Sequence, residues 1–164
     1  MKLGIISDTH GNIPNTIHAA EIFRRAGVQE IIHCGDVGSA GVVTTLADVP
    51  CHYVLGNTDM PGTITRAILD ANQTCYDYLG MISREGVQIA FLHGHDWRTL
   101  EELIESQRFD LICTGHTHEF HWMQQGKTRL LNPGALQRTG SPSVVILTVP
   151  ELTIEQKMLN SFSF

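Results

Sequence analysis

The sequence predicts an α/β fold in which a largely parallel sheet packs against a more antiparallel one, with helices outside. Three observations predict it. Short apolar runs alternate with helically spaced stretches through the first half, a pattern that favours parallel pairing. The second half breaks into short runs punctuated by Gly and Pro, which favours antiparallel pairing. Each main apolar run is also followed by polar side chains of metal-ligand type.

Taken in order, Lys2 to Ser7 is a buried strand, and Asn12 to Ala26 is a helix with apolar residues at 13, 17, 20 and 23 and a stop at Gly27. Glu30 to Cys34 is a second strand, closed by Gly35-Asp36. Val42 to Leu46 suits a short helix, and Cys51 to Leu55 is a third strand, closed by Gly56-Asn57. Beyond these, Val87 to Leu92 is a strand that runs into His93-Gly94-His95. Thr99 to Gln107 is a helix with Leu100, Leu103 and Ile104 on one face, and Phe109 to Cys113 is a strand that runs into Gly115-His116-Thr117-His118. Four short strands follow at 119–124, 128–131, 143–149 and 152–157, with turns at Gly126-Lys127 and Pro150-Glu151. No repeat, low-complexity tract or linker interrupts the chain, so residues 1–164 are expected to form a single domain.

A hydrophobic content of 42% with 17% charged residues fits a globular protein. The net charge of -6 argues against a large nucleic acid partner, which is held by basic side chains that release counterions. The apolar run before Asp8 is too short for a signal-peptide core or a membrane span, and no membrane partner is expected. Four cysteines (Cys34, Cys51, Cys75, Cys113) form no CxxC pair, so reduced thiols and a cytoplasmic location are expected, with Cys34 and Cys113 as small core residues.

The strand ends carry the chemistry. Asp8 and His10 follow the first strand, Asp36 the second and Asn57 the third; His93, then His116 and His118, follow the later ones. Ligands bind at the carboxyl ends of strands in open α/β sheets, so these seven converge on one edge. A single ion needs three or four protein ligands, whereas two ions sharing a carboxylate need about seven contributors. Asp36 is the natural bridge, because a carboxylate offers two oxygens. The nitrogen and oxygen donors suit divalent Mn, Fe, Zn, Ni or Co, and the absence of thiolates disfavours a structural zinc. Gly35, Gly56, Gly94 and Gly115 stand beside the candidates, where a missing Cβ permits a sharp turn or close approach by substrate.

In this order Asp8-x-His10, Gly35-Asp36, Gly56-Asn57-x-Asp59, His93 and Gly115-His116-x-His118 resemble the calcineurin-like metallophosphoesterases, over nearly the whole chain. SDTHGN at 7–12, LHGH at 92–95, TGHTH at 114–118 and NPG at 132–134 resemble that family's small bacterial and archaeal phosphodiesterase branch. The resemblance implies a four-layer α-β-β-α sandwich, two mixed sheets flanked by helices, with the metal site at the strand C-terminal edge. It assigns Asp8, His10, Asp36 and His118 to one ion and Asp36, Asn57, His93 and His116 to the other. The cofactors it implies are two divalent transition-metal ions, manganese first. The activity it implies is hydrolysis of small phosphodiesters by a hydroxide held between the ions.

One position departs from the larger family: residue 58 is Thr, where many members carry a His taken as general acid. A Thr hydroxyl cannot replace imidazole as a proton donor near neutral pH. His95 is the candidate substitute, with a hydrogen-bonding role beside the site as its alternative. Asn57 is expected to orient a phosphate oxygen as well as bind metal, Asp59 to orient an imidazole or the Asn57 loop, and the N–H groups of Gly11 and Asn12 to help hold an anion. His18, His33 and His52 are read as surface or core, Arg98 and Arg138 as solvated charges, and His121 as a candidate for the groove. Groove walls are assigned to the stretches 58–75 and 119–140. The competing reading is a non-catalytic binding scaffold, like the retromer subunit that shares this fold but lacks a full ligand set. A homo-oligomer is expected only by analogy with small members of the branch.

Overall fold

A computed structural model describes residues 1–159. The first half alternates as expected: β1 (Lys2–Ile6), α1 (Ile13–Ala26), β2 (Glu30–His33), α2 (Ala40–Leu46) and β3 (Cys51–Tyr53). Next come α3 (Pro61–Asp70), β4 (Thr74–Cys75), β5 (Leu79–Arg84), β6 (Val87–Leu92), α4 (Trp97–Ser106) and β7 (Leu111–Cys113). The chain closes with β8 (Phe120–Gln125), β9 (Thr128–Pro133), β10 (Ser143–Thr148) and β11 (Thr153–Met158).

These strands form two mixed sheets. One has the order β11-β10-β1-β2-β3-β4, with β1 to β4 parallel and β10 and β11 antiparallel. The other has the order β5-β6-β7-β9-β8, with a parallel centre flanked by antiparallel hairpins. Strand alternation divides the core between three interfaces. Leu3 and Ile5 of β1, Ile32 of β2, Ile89 and Phe91 of β6, and Leu111 of β7 fill the space between the sheets. The alternate residues Ile6, Ile31 and Ile146 face α1 to α3 through Phe23, Val42, Val43, Ile64 and Ile68. Ala90, Leu92 and Ile112 face α4 through Leu100, Leu103 and Ile104. Four layers result, as the resemblance implies. All four cysteines are free thiols, and Cys34 and Cys113 are buried in the core.

The stretch 58–75, read as groove-wall loop, differs from expectation, since it contains α3 and β4. Helix α3 buries only Ile64 and Ile68, and its other positions are half-buried or exposed. Its Thr63 and Thr65 are poor helix formers, so the apolar pattern is thin. Two-residue β4 is too short to leave any periodicity. Strand β5, which pairs with the whole of β6, also lies where no element is expected.

Candidate metal centre

Parallel pairing brings the strand ends together. Asp8 lies two residues beyond β1 and Asp36 three beyond β2, and their loops are zipped by hydrogen bonds that continue the sheet. Asp8 N–H donates to Gly35 O at 3.0 Å, and His10 N–H to Asp36 O at 2.9 Å. In the second sheet, Gly115 N–H donates to His93 O at 3.0 Å. Asp8, His10, Asp36, His116 and His118 all adopt left-handed backbone, φ between 42° and 70°. Such conformations cost of order 1–3 kcal/mol each in non-glycine residues and cluster where side-chain aim matters more than backbone comfort.

Five donors meet closely. Asp8 Oδ1 is 3.1 Å from His118 Nε2, 3.7 Å from His10 Nε2 and 3.9 Å from His93 Nε2. Asp36 Oδ2 is 3.2 Å from His93 Nε2 and 3.5 Å from His10 Nε2. Asp8, His10 and His118 form one group able to hold a metal ion, and Asp8, Asp36 and His93 form another. His116 stands outside both groups, its exposed ring packed edge-on against His93 with centroids 5.1 Å apart. Asn57 is exposed on the loop after β3.

The outer atoms of these ligands are tied down, which aims the inner ones. Ser7 Oγ donates to Asp8 Oδ2 at 2.6 Å, and His116 N–H donates to the same oxygen at 3.0 Å. Thr58 N–H donates to Asp36 Oδ1 at 3.0 Å, leaving Oδ2 facing the imidazoles. His93 Nδ1 lies 2.8 Å from Cys34 O and His118 Nδ1 3.3 Å from Arg138 O. A carbonyl can only accept, so both rings carry hydrogen on Nδ1 and turn Nε2 inward. Asp8 Oδ1 and His93 Nε2 are consequently buried, and their short contacts with His118 and Asp36 do not have hydrogen-bond geometry. A carboxylate oxygen and an imidazole lone pair buried in this way are costly unless a cation or a proton lies between such donors. The residues present therefore fit divalent metal.

The carboxylates and imidazoles also perturb one another's charge. Burial pushes the Asp36 carboxyl up, yet His93 and the Thr58 N–H hold it far below the usual carboxylate range. Burial pulls His93 down, but Asp36 and Asp8 more than offset it, so its pKa is raised. For His10, burial dominates and lowers the pKa against the pull of Asp36, with Arg138 and His118 adding to the lowering.

Two of the glycines serve the carboxylates. A Cβ on Gly56 would run into the Asp36 carboxylate, and one on Gly115 into Ser7 and Asp8, so the absent side chains make room for ligands rather than substrate. Asp59 is buried. Its carboxylate accepts from Gly56 N–H at 2.9 Å, Val37 N–H at 3.1 Å and Gly38 N–H at 2.9 Å, clamping the Asn57 loop to the Asp36 loop without touching an imidazole. Asn132 of the NPG stretch donates to Gly115 O and Thr117 Oγ1, steadying the segment that carries His116 and His118.

Other expectations need correction. The N–H groups of Gly11 and Asn12 already donate to Val37 O and Thr9 O, so they are not free for an anion. Arg138 and Arg98 are both exposed, as solvated charges would be; the charge of Arg138 also acts on His10, and Arg98 lies over the exposed Trp97. His121 is exposed on β8 and lines a cavity with Thr117 and Asn132. His33 and His52 are buried, as the core reading has it, and His18 lies in α1. His33 is fully buried with its pKa lowered to about 3, chiefly by burial. It accepts from Gly35 N–H through Nδ1 and meets Thr9 Oγ1 at 3.0 Å through Nε2, so it braces the loops that present Asp8 and Asp36. The sequence reading gives Ser7 no role; its one signal is a polar side chain adjoining a candidate ligand at a buried strand end.

The profile of the calcineurin-like phosphoesterase superfamily domain matches residues 1–151. Phosphodiesterase MJ0936 of Methanocaldococcus jannaschii is 33% identical over 153 residues, covering 90% of this chain and 92% of its own. The structure of an archaeal phosphodiesterase superposes with a TM-score of 0.89 at 30% identity, covering 97% of this chain and all of that one. A Vps29 variant from Entamoeba histolytica superposes with a TM-score of 0.69 at 20% identity over 98% of this chain and 100% of that one, a likeness of fold alone. Among the described residues, no helix is long and apolar enough to cross a membrane.

Proposed function

Since the chain belongs to the calcineurin-like phosphoesterase superfamily, we propose that it hydrolyses small phosphodiesters with two divalent metal ions at the edge where the two sheets meet. Asp8, His10, Asp36 and His118 hold one ion, and Asp36, Asn57, His93 and His116 the other. Support for the shared carboxylate comes from Asp36 Oδ2, which lies within 3.5 Å of Nε2 on both His10 and His93, one imidazole from each set. The observation that carries the reading is the pair of buried atoms, Asp8 Oδ1 and His93 Nε2, that no hydrogen bond satisfies. Manganese is the first candidate, with iron, zinc, nickel or cobalt compatible with the donors.

Such ions, when bound, lower the pKa of water and offset the charge of phosphoryl oxygens. The chain's own residues do the rest. Asn57 orients a phosphate oxygen, and Asp59 is a positioning residue that holds the Asn57 loop through Gly56. His95 donates the proton to the departing alkoxide, since Thr58 cannot. Its exposed ring lies 5.5 Å from that of His93 and 6.3 Å from that of His116, at the border of the site. The net charge of -6 favours small diesters over a long polyanion.

A pure scaffold is the weaker reading. It gains nothing from burying unpaired donors, each of which costs stability. The test is turnover of an activated aryl diester by chelated and manganese-supplied protein, beside Asp36→Asn and Thr58→His. We expect activity only with metal and a loss of more than about 100-fold in Asp36→Asn; if proton donation limits the rate despite His95, Thr58→His gains more on poor leaving groups than on good ones. Wild-type-like turnover by Asp36→Asn contradicts the shared-carboxylate assignment.

A further inference from the structure

Beside His93 lies a cavity of about 440 Å³, within the range of small-molecule sites. Its lining includes the apolar Leu79 and Leu92, the aromatic Tyr78, and the polar His95 and Asp96. Tyr78 sits in the tight turn between β4 and β5, where the chain passes from one sheet to the other. That turn is stapled: Leu55 N–H donates to Asp77 O at 2.6 Å and Leu79 N–H to Tyr76 O. Asp96 is fixed as well, because it caps α4 by accepting from Thr99 N–H and Thr99 Oγ1. Tyr78 meets His95 edge-on, with centroids 6.3 Å apart at 66°, and 51% of its surface remains exposed. A half-exposed aromatic ring therefore shares a cavity lining with two leucines, next to the imidazoles that border the metal centre.

We propose that this cleft is the subsite for the leaving-group side of the ester, and that Tyr78 selects a flat aromatic ring there. The inference rests on the phosphoesterase reading and deepens it by naming a substrate class. Stacking on an exposed tyrosine face tolerates different rings, because every such ring offers a π-surface. The Asp96 carboxylate in the cavity lining repels a second anionic group, so the ring entering the cleft is uncharged. His95, which lines the same cavity and neighbours the His93 and His116 rings, meets the ester oxygen to which that ring is joined.

The test compares two diesters whose alcohols have similar acidity, diphenyl phosphate and bis(hexafluoroisopropyl) phosphate, on manganese-supplied protein. Tyr78→Ala should lose about threefold to tenfold in kcat/KM on the phenyl ester, mostly through KM, and stay unchanged on the fluoroalkyl ester. Tyr78→Phe should match wild type on both. An equal loss on both esters, or no loss on either, overturns the subsite. The same loss on thymidylyl thymidine assigns the ring to a nucleobase; restriction to the phenyl ester assigns it to an aryl group. If wild type hydrolyses none of the three with any divalent ion, the phosphoesterase reading has failed, and binding decides the subsite separately. A nuclear Overhauser contact between phenylphosphonate and the Tyr78 ring, lost in Tyr78→Ala, supports the subsite in zinc-supplied protein, and its absence in wild type overturns it.

Discussion

Ser7 Oγ donates a 2.6 Å hydrogen bond to one oxygen of Asp8, and the other oxygen of that carboxylate is buried with no hydrogen-bond partner. The bond fixes which oxygen faces His118 and His10. Ser7→Ala removes the donor without adding bulk, and the carboxylate can then rotate. Partners that orient metal ligands in this way are typically worth about 10–100-fold in metal affinity or activity. We expect that loss in calorimetric metal titration of Ser7→Ala, with the circular dichroism of the folded chain unchanged. Unaltered affinity would show that Asp8 is held well enough by the His116 N–H alone.

Gly56 provides a test of space. Its backbone does not require glycine, but a Cβ there would occupy the position of the Asp36 carboxylate. Gly56→Ala should destabilise by about 1–3 kcal/mol, as overpacking does, and weaken metal binding together with stability. Gly62 in α3 is the control, because a Cβ there meets nothing within 4 Å. Gly62→Ala should leave metal binding untouched, measured by thermal melts with and without added manganese.

His33 links the site to acid stability. Its folded pKa is about 3, lowered chiefly by burial, against 6.5 for an exposed imidazole. Below pH 6.5 the unfolded chain takes up a proton that the folded chain refuses. Stability from this group is therefore complete above pH 6.5 and is lost as the pH falls toward about 3. The slope from one such group approaches about 1.4 kcal/mol per pH unit. Urea unfolding of metal-free protein between pH 7 and about 4.5 should show His33→Gln losing less stability per pH unit than wild type. Equal slopes would mean that His33 can accept a proton in place.

Much of this architecture is legible in the sequence because strand ends repeat one pattern. Runs such as Lys2–Ile6 and Val87–Leu92 are apolar on both faces, since each strand lies between a neighbouring sheet and a layer of helices. The polar residue that closes each run therefore stands out, and parallel pairing sends all of them to one edge. What escapes is what periodicity does not encode. Helix α3 buries two side chains, β4 has two residues, and Ser7 is a small polar group whose importance comes from one hydrogen bond. The anion role expected of Gly11 and Asn12 fails for a tertiary reason: the Asp36 loop consumes the Gly11 N–H through Val37 O, and a local turn consumes that of Asn12 through Thr9 O. Asp59 is legible as a partner of the site, but that it binds three backbone N–H groups rather than an imidazole depends on how two loops meet.

The most direct measurement is the metal content of the folded chain, by elemental mass spectrometry after loading with manganese and removal of loosely held ions. We expect about two ions per chain in wild type and about one or fewer in Asp36→Asn, whose amide cannot serve both sites. A well-folded wild-type chain that saturates at one ion, or an Asp36→Asn chain that still holds two, contradicts a paired centre built around Asp36.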